Sequence, residues 1–207
     1  MSHRLFVVVA AVAAALVLVP CALAVKVHVR VEGKTRTIFG ATSPLVDVTS
    51  PQANALPENA LDALDTASSL GEFFYHVTQT SFGPYVDQIG RFPAAGQTGW
   101  VFKVNGASPP VGADQVKLQA GDTVLWYWAQ FGVAGGPKTL TLSRSGRCYA
   151  VVAQDDNGKG TPAVGAVLHV GSARSVATRN GRACLGPHRG LVVRAELAGA
   201  VRSNALP

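Results

Sequence analysis

The sequence predicts a mainly β protein: an α+β unit with one helix, followed by a small β-sandwich. Three observations carry this. Residues 25–32 alternate Val25, Val27, Val29 and Val31 with Lys26, His28, Arg30 and Glu32, the period-two pattern of a half-buried strand. The segment ALDALDTA at 60–67 is the one good helix. Beyond residue 138, short apolar runs recur between Gly, Asn and Asp turn signals, which is how a sandwich reads.

Charge and aromatics divide the chain at the same place. Residues 25–136 hold seven Lys/Arg against nine Asp/Glu, a net of −2, and thirteen aromatics. Residues 137–207 hold ten against three, a net of +7, and one aromatic, Tyr149. Arg4 completes the total of +6. Charged residues are 14% of the chain, against about a quarter in typical domains, which argues against disorder and coiled coil. The expected organisation is a leader at 1–24, an α+β domain at 25–132, a Gly/Pro linker at 133–137 and a β-sandwich at 138–207.

The leader is an apolar run, Leu5 to Val19, behind Arg4, then Pro20 and Cys21-Ala22-Leu23-Ala24. Ala22 and Ala24 form a small-residue cleavage site, so a signal peptide removed after Ala24 is expected. A retained anchor is the rival, although the run is short for a span of about 20 residues. Lipidation at Cys21 is a further alternative, with Pro20 a poor fit beside it. The protein is expected to be extracellular or at the cell surface, meeting the membrane only through the leader. Cleavage leaves Cys148 and Cys184, and in an oxidising compartment such a pair reads as one disulfide. Two Cys cannot fill a zinc site, so no metal is expected.

Within 25–132, Glu32-Gly33-Lys34 turns the first strand into a second at 35–39. Asn59 is placed to cap the helix, with Asp62 favouring its positive end. Leu61 and Leu64 form the buried stripe, Asp62 and Asp65 a solvated face, and Gly71 the stop. Residues 73–80, 82–90, 100–104, 115–118 and 123–130 follow as short extended segments, with an Asn105-Gly106 hairpin turn. One helix on one face of a mixed sheet is a β-grasp-like arrangement.

The segments FGPYVDQIG, TGWVFKVNG and GADQVKLQAGDTVLWYW, following ALDALDTA, resemble a bacterial family. Its domain is similar to the C-terminal β-domain of transcobalamin and intrinsic factor. In those carriers the β-domain closes over cobalamin held against a larger helical domain, which this sequence does not show. The resemblance implies a β-grasp fold and admits a corrinoid ligand; no other cofactor is expected.

Alternation on 123–130 puts Val124, Trp126 and Trp128 on one face and Leu125, Tyr127 and Ala129 on the other. In the vitamin carriers the face aligning with the first set is the apolar one, so Trp126 and Trp128 read as core and Tyr127 as replacing a solvated residue. Aromatic faces with a polar rim hold planar rings or sugars. The candidate ligand-binding residues are therefore Tyr85, Gln88, Trp100, Phe102 and Tyr127. Asp87 adds a second polar group, and Gly99 and Gly106 would let a ligand approach the backbone.

The second unit reads as seven strands at 140–143, 148–154, 166–170, 175–178, 183–185, 191–196 and 200–203. Its spacing of small residues resembles the prealbumin-like or immunoglobulin-like modules of secreted bacterial proteins. Asp155-Asp156-Asn157-Gly158 reads as a hairpin turn, since the EF-hand spacing is missing. His169 and His188 read as surface residues. A basic surface without interleaved aromatics does not suggest nucleic acid.

Phosphate-loop, G-x-S-x-G and H-E-x-x-H motifs are missing, and no catalytic residue is expected. The expected function is a secreted, non-enzymatic binding protein that holds a small ligand or a partner on an aromatic β-grasp surface. The alternative is a structural or adhesive cell-surface module that binds an envelope protein or polymer.

Overall fold

A computed structural model describes residues 24–50, 56–132, 135–172 and 174–207. The leader up to residue 23, Cys21 included, and Val133-Ala134 of the expected linker lie outside the described residues.

Over the described residues the protein is mainly β with one α-helix. In the first half, β1 (Val25–Glu32) is central. β2 (Thr37–Phe39) pairs antiparallel with its end and β3 (Leu45–Val48) with its start. Then come α1 (Ala60–Gly71), β4 (Tyr75–Thr80), β5 (Gly83–Ile89), β6 (Phe92–Pro93), β7 (Thr98–Val104) and β8 (Thr123–Gln130). β8 lies parallel to β1 on its other side, and β7 pairs antiparallel with β8 at the sheet edge. β4, β5 and β6 form a separate three-stranded sheet. Residues 115–118, expected as a strand, instead form a short 3-10 turn at Ala113–Gln115 and an isolated bridge from Lys117 to Asn59.

Helix α1 begins because Asn59 accepts hydrogen bonds from the Leu61 and Asp62 backbones at 2.9 Å, while Asp62 accepts from the Asn59 N–H at 3.1 Å. This reciprocal box satisfies N–H groups that the helix leaves unpaired. Asp62 is not on a solvated face, as the sequence suggested: it is buried and also accepts from the Ser50 hydroxyl at 2.6 Å. Asp65 accepts from the Tyr75 hydroxyl at 2.8 Å. Gly71 is the last helical residue, and the left-handed cap is Glu72 at φ 51°. Glycine is needed at 71 for another reason: a Cβ there would stand 2.7 Å from the Phe39 ring. The helix packs its Ala60, Ala63, Leu64 and Ala67 face on Val27, Val29, Val31, Val124 and Trp126. Trp126 Nε1 donates to the Ala60 carbonyl at 3.2 Å, fixing the sheet under the first turn.

The second half contains β9 (Thr139–Ser145), β10 (Cys148–Gln154), β11 (Gly160–Pro162), β12 (Val167–Val170), β13 (Arg174–Ala177), β14 (Arg182–Cys184), β15 (Val193–Glu196) and β16 (Ala205–Leu206). β9, β10, β11 and β14 form one sheet and β12, β13, β15 and β16 another. They share a core that includes Leu140, Tyr149, Val151, Leu168 and Val193. β11 was not foreseen, and the last strand lies at 205–206 rather than 200–203, where Val201 makes only a bridge to Thr139. Cys148 and Cys184 stand opposite each other on β10 and β14 and are disulfide-bonded.

The polar face of β1 is solvated only at its start, where Lys26 is exposed; toward its end it is covered. Arg30, Glu32, Lys103, Leu125, Tyr127 and Ala129 are all buried. Glu32 accepts from the Thr37 hydroxyl at 2.9 Å and meets Arg30 at 3.2 Å and Arg202 at 3.0 Å. Arg202 comes from the second half, and Val201 packs on Leu125, Tyr127 and Ala129. The two halves therefore share a buried, charge-paired contact.

Candidate binding cleft

β7 is the sheet edge, and its outward side faces β5 across a gap. At one end, Val104 and Ala107 exchange backbone hydrogen bonds of 2.9 and 3.1 Å around the Asn105-Gly106 turn. At the other end, Thr98 and Ala95 exchange two of 3.0 Å. Between these clasps the gap opens into a cavity of about 340 Å³. Its walls include Pro84, Tyr85 and Val86 from β5, Pro109 and Ala113 from the loop after β7, and Phe131. Trp100, Phe102, Trp126 and Tyr127 also line it, as does Asp156 from the second half.

Four of the five candidate residues from the sequence, Tyr85, Trp100, Phe102 and Tyr127, thus meet in one cavity. Tyr85 is 40% exposed, and its hydroxyl takes a hydrogen bond from the Trp100 backbone. Burial pushes its phenol above the usual value. Trp100 is buried; its Nε1 donates to the Phe92 carbonyl at 2.8 Å and its ring meets Trp128 edge-on at 5.6 Å. Phe102 is half-buried and stacks on Trp126 at 5.0 Å. Tyr127, expected at a solvated position, is 1% exposed because the second half covers it. Its phenol is pushed up, first by burial and then by the charge of Asp156.

Gln88 is not brought to the cavity. It sits on β5, and its Nε2 donates to the Gly90 carbonyl at 2.8 Å. Asp87 is also spent locally: the Thr78 hydroxyl donates to it at 2.6 Å, and His76 Nδ1 lies 2.7 Å away. These contacts, the Thr78 bond first, hold its carboxyl below the ordinary value. Gly99 and Gly106 do admit a close neighbour, but it is the protein itself. A Cβ at Gly99 would be 2.5 Å from the Tyr85 hydroxyl, and one at Gly106 would be 2.7 Å from Gln154.

Sequence reasoning missed Lys103 and Asp156. Lys103 is fully buried and donates to the Asp155 carbonyl at 2.6 Å, with the Asp156 carboxylate at 3.5 Å. Burial lowers the ammonium pKa, and Asp156 partly opposes this. The expected hairpin turn at 155–158 is present. Asp155 Oδ1 accepts from the Asn157 and Lys159 backbones at 3.0 and 2.9 Å. Ser108 N–H donates to the Asp156 carbonyl at 2.8 Å, so this turn closes one end of the cleft. Its only advance signal was an Asp-Asp pair in a basic segment.

A second crevice, of about 420 Å³, lies between Trp128–Gly132 and Gly199–Arg202, but its Arg202 is already committed to Glu32. Among the described residues, no group of three or more His, Cys, Asp or Glu side chains could hold a metal ion, and no helix is long and apolar enough to cross a membrane. His188 is half-buried rather than a plain surface residue: its Nε2 lies 2.8 Å from the Tyr149 hydroxyl.

A family model described as "Domain of unknown function (DUF4430)" matches residues 58–130, the stretch from α1 through β8 that contains most of the cleft. No curated protein matches the chain. Among solved structures, a candidate metal-binding protein from Ruminococcus gnavus ATCC 29149 is similar over 52% of this chain and 99% of its own, at 14% identity and a TM-score of 0.38. A likeness that loose transfers neither fold nor ligand.

Proposed function

We propose that this is an exported, non-enzymatic binding protein that holds a small ligand or a segment of a partner in the cleft between β5 and β7. The observation that carries the reading is the convergence of Tyr85, Trp100, Phe102 and Tyr127, with Asp156, on one cavity. Apolar clefts with a few placed polar groups are the usual form of small-molecule sites, and about 300–1,000 Å³ is their usual size. Export is supported by the leader pattern at 5–24 and by the Cys148–Cys184 disulfide, which suits an oxidising compartment. The resemblance to the transcobalamin β-domain family supports a corrinoid. A cavity of about 340 Å³ would take an edge or substituent of such a macrocycle rather than enclose it.

Titration of Trp fluorescence with a corrinoid and a panel of glycans tests the reading. Trp100 and Trp126 line the cavity, so occupancy quenches or shifts emission. Tyr85→Ala is expected to weaken the response at least tenfold. A Tyr85→Ala protein that titrates like wild type overturns the site. The reading as a surface module that binds another protein is favoured by one feature, the unpaired edge of β7.

A further inference from the structure

Beside the cavity, β7 has no strand on its outer side. Thr98 and Val104 direct their backbone groups outward, to Ala95 and Ala107, while Asn105 N–H points the other way, to Thr123 at 2.9 Å. Alternation along a strand then sends the N–H and C=O of Trp100 and Phe102 outward too, into the cleft. The Trp100 N–H is taken by the Tyr85 hydroxyl. The Trp100 carbonyl and both Phe102 groups have no partner on that side among the described residues. A proline keeps them open. The register that pairs Val104 with Ala107 would set Pro109 opposite Phe102, and proline has no N–H to give. Ser108 turns instead to Asp156. The chain thus starts a hairpin and abandons it after one pair.

Resting on the reading that this cleft is the binding site, we propose that its ligand is an extended peptide segment that adds as a strand to β7 at Trp100–Phe102. A donor and acceptors in strand spacing, held between fixed clasps, match the backbone of an extended peptide. Main-chain pairing supplies affinity in such additions, and flanking pockets select alternate side chains. Here the Tyr85 and Phe131 walls select an apolar or aromatic side chain. The Asp156 carboxylate pairs with Lys103 at 3.5 Å on one side and, with its side chain 47% exposed, can accept from a donor on a neighbouring side chain on the other. A cavity of about 340 Å³ holds about three residues.

The probe is the peptide acetyl-Lys-Val-Tyr-Val-Lys-amide, compared with two analogues N-methylated on alternate residues. N-methylation removes the pairing N–H groups of one strand side and leaves every side chain in place. The parent peptide is expected to quench Trp emission and to slow amide exchange at Phe102 at least tenfold. One analogue is expected to lose at least tenfold in affinity. Equal binding of all three peptides, or no binding while a corrinoid or glycan still gives a Tyr85-dependent response, overturns strand addition and leaves the cleft standing. Failure of every probe, small molecules included, removes the cleft reading as well.

Discussion

Lys103 and Tyr127 face each other, with the ammonium 6.0 Å from the ring centroid, and burial acts on them in opposite senses. Lys103 satisfies its charge through main-chain carbonyls and Asp156, so Lys103→Ala strands buried acceptors and is expected to destabilise by about 3 kcal/mol. Chemical denaturation measures that loss. The folded phenol of Tyr127 is raised above the ordinary 10.0. Above pH 10 the unfolded chain therefore gives up a proton that the folded chain keeps, and stability falls as pH rises. The folded ammonium of Lys103 is lowered below 10.5, so its contribution rises with pH between the folded and unfolded values. Tyr75, raised by burial and Asp65, adds to the tyrosine side. Tyr127→Phe is expected to move the alkaline unfolding midpoint to higher pH. Ultraviolet difference absorbance, followed with circular dichroism, checks this; an unmoved midpoint contradicts the assignment.

At the scale of elements, α1 and the β7 hairpin are held by local chemistry that reaches into tertiary contacts. Asn59 is buried and closes the helix box, so Asn59→Ala is expected to cost about 1 kcal/mol, read as a lowered thermal midpoint. Gly106 has a positive φ of 86° and no room for a Cβ beside Gln154. Gly106→Ala should therefore destabilise by more than the Asn59 change and loosen the contact with the turn at 155–158. The signals for these elements lay within a few residues: Asn and Asp around a helix start, Asn-Gly between strands. The misreading at 115–118 arose where apolar residues alternate but no neighbouring strand offers a ladder, and at 200–203 the pairing with β9 stops after the single bridge at Val201. Alternation reports which side chains are buried, and burial beside a helix or under a turn leaves the same trace.

For the whole molecule, the buried contact between the halves decides stability. Glu32 meets two arginines, one from each half, and its burial leaves Glu32→Ala with unpaired guanidinium groups. A fragment ending at residue 132 would expose Leu125, Tyr127 and Ala129 together with Lys103 and Glu32. It is expected to self-associate or melt well below the full protein, by size-exclusion chromatography and calorimetry. The disulfide joins residues 36 apart, and its loss in Cys148→Ser with Cys184→Ser is expected to cost about 3–4 kcal/mol in the loop-entropy picture.

The sequence by itself determined the mainly β character, the helix at 60–71 with its Asn59 cap, the Asn105-Gly106 and Asp155–Gly158 turns, and the shared face of Trp100 and Phe102. These follow from periodicity and from residues that favour one backbone conformation, both local properties. Only the tertiary structure decided that Tyr127 is covered, that Lys103 meets Asp156, that Gln88 is spent on its own turn, and that the edge of β7 stays open beside Tyr85. Those outcomes depend on which surfaces meet across more than a hundred residues, as when Arg202 reaches Glu32, and no local pattern records that meeting.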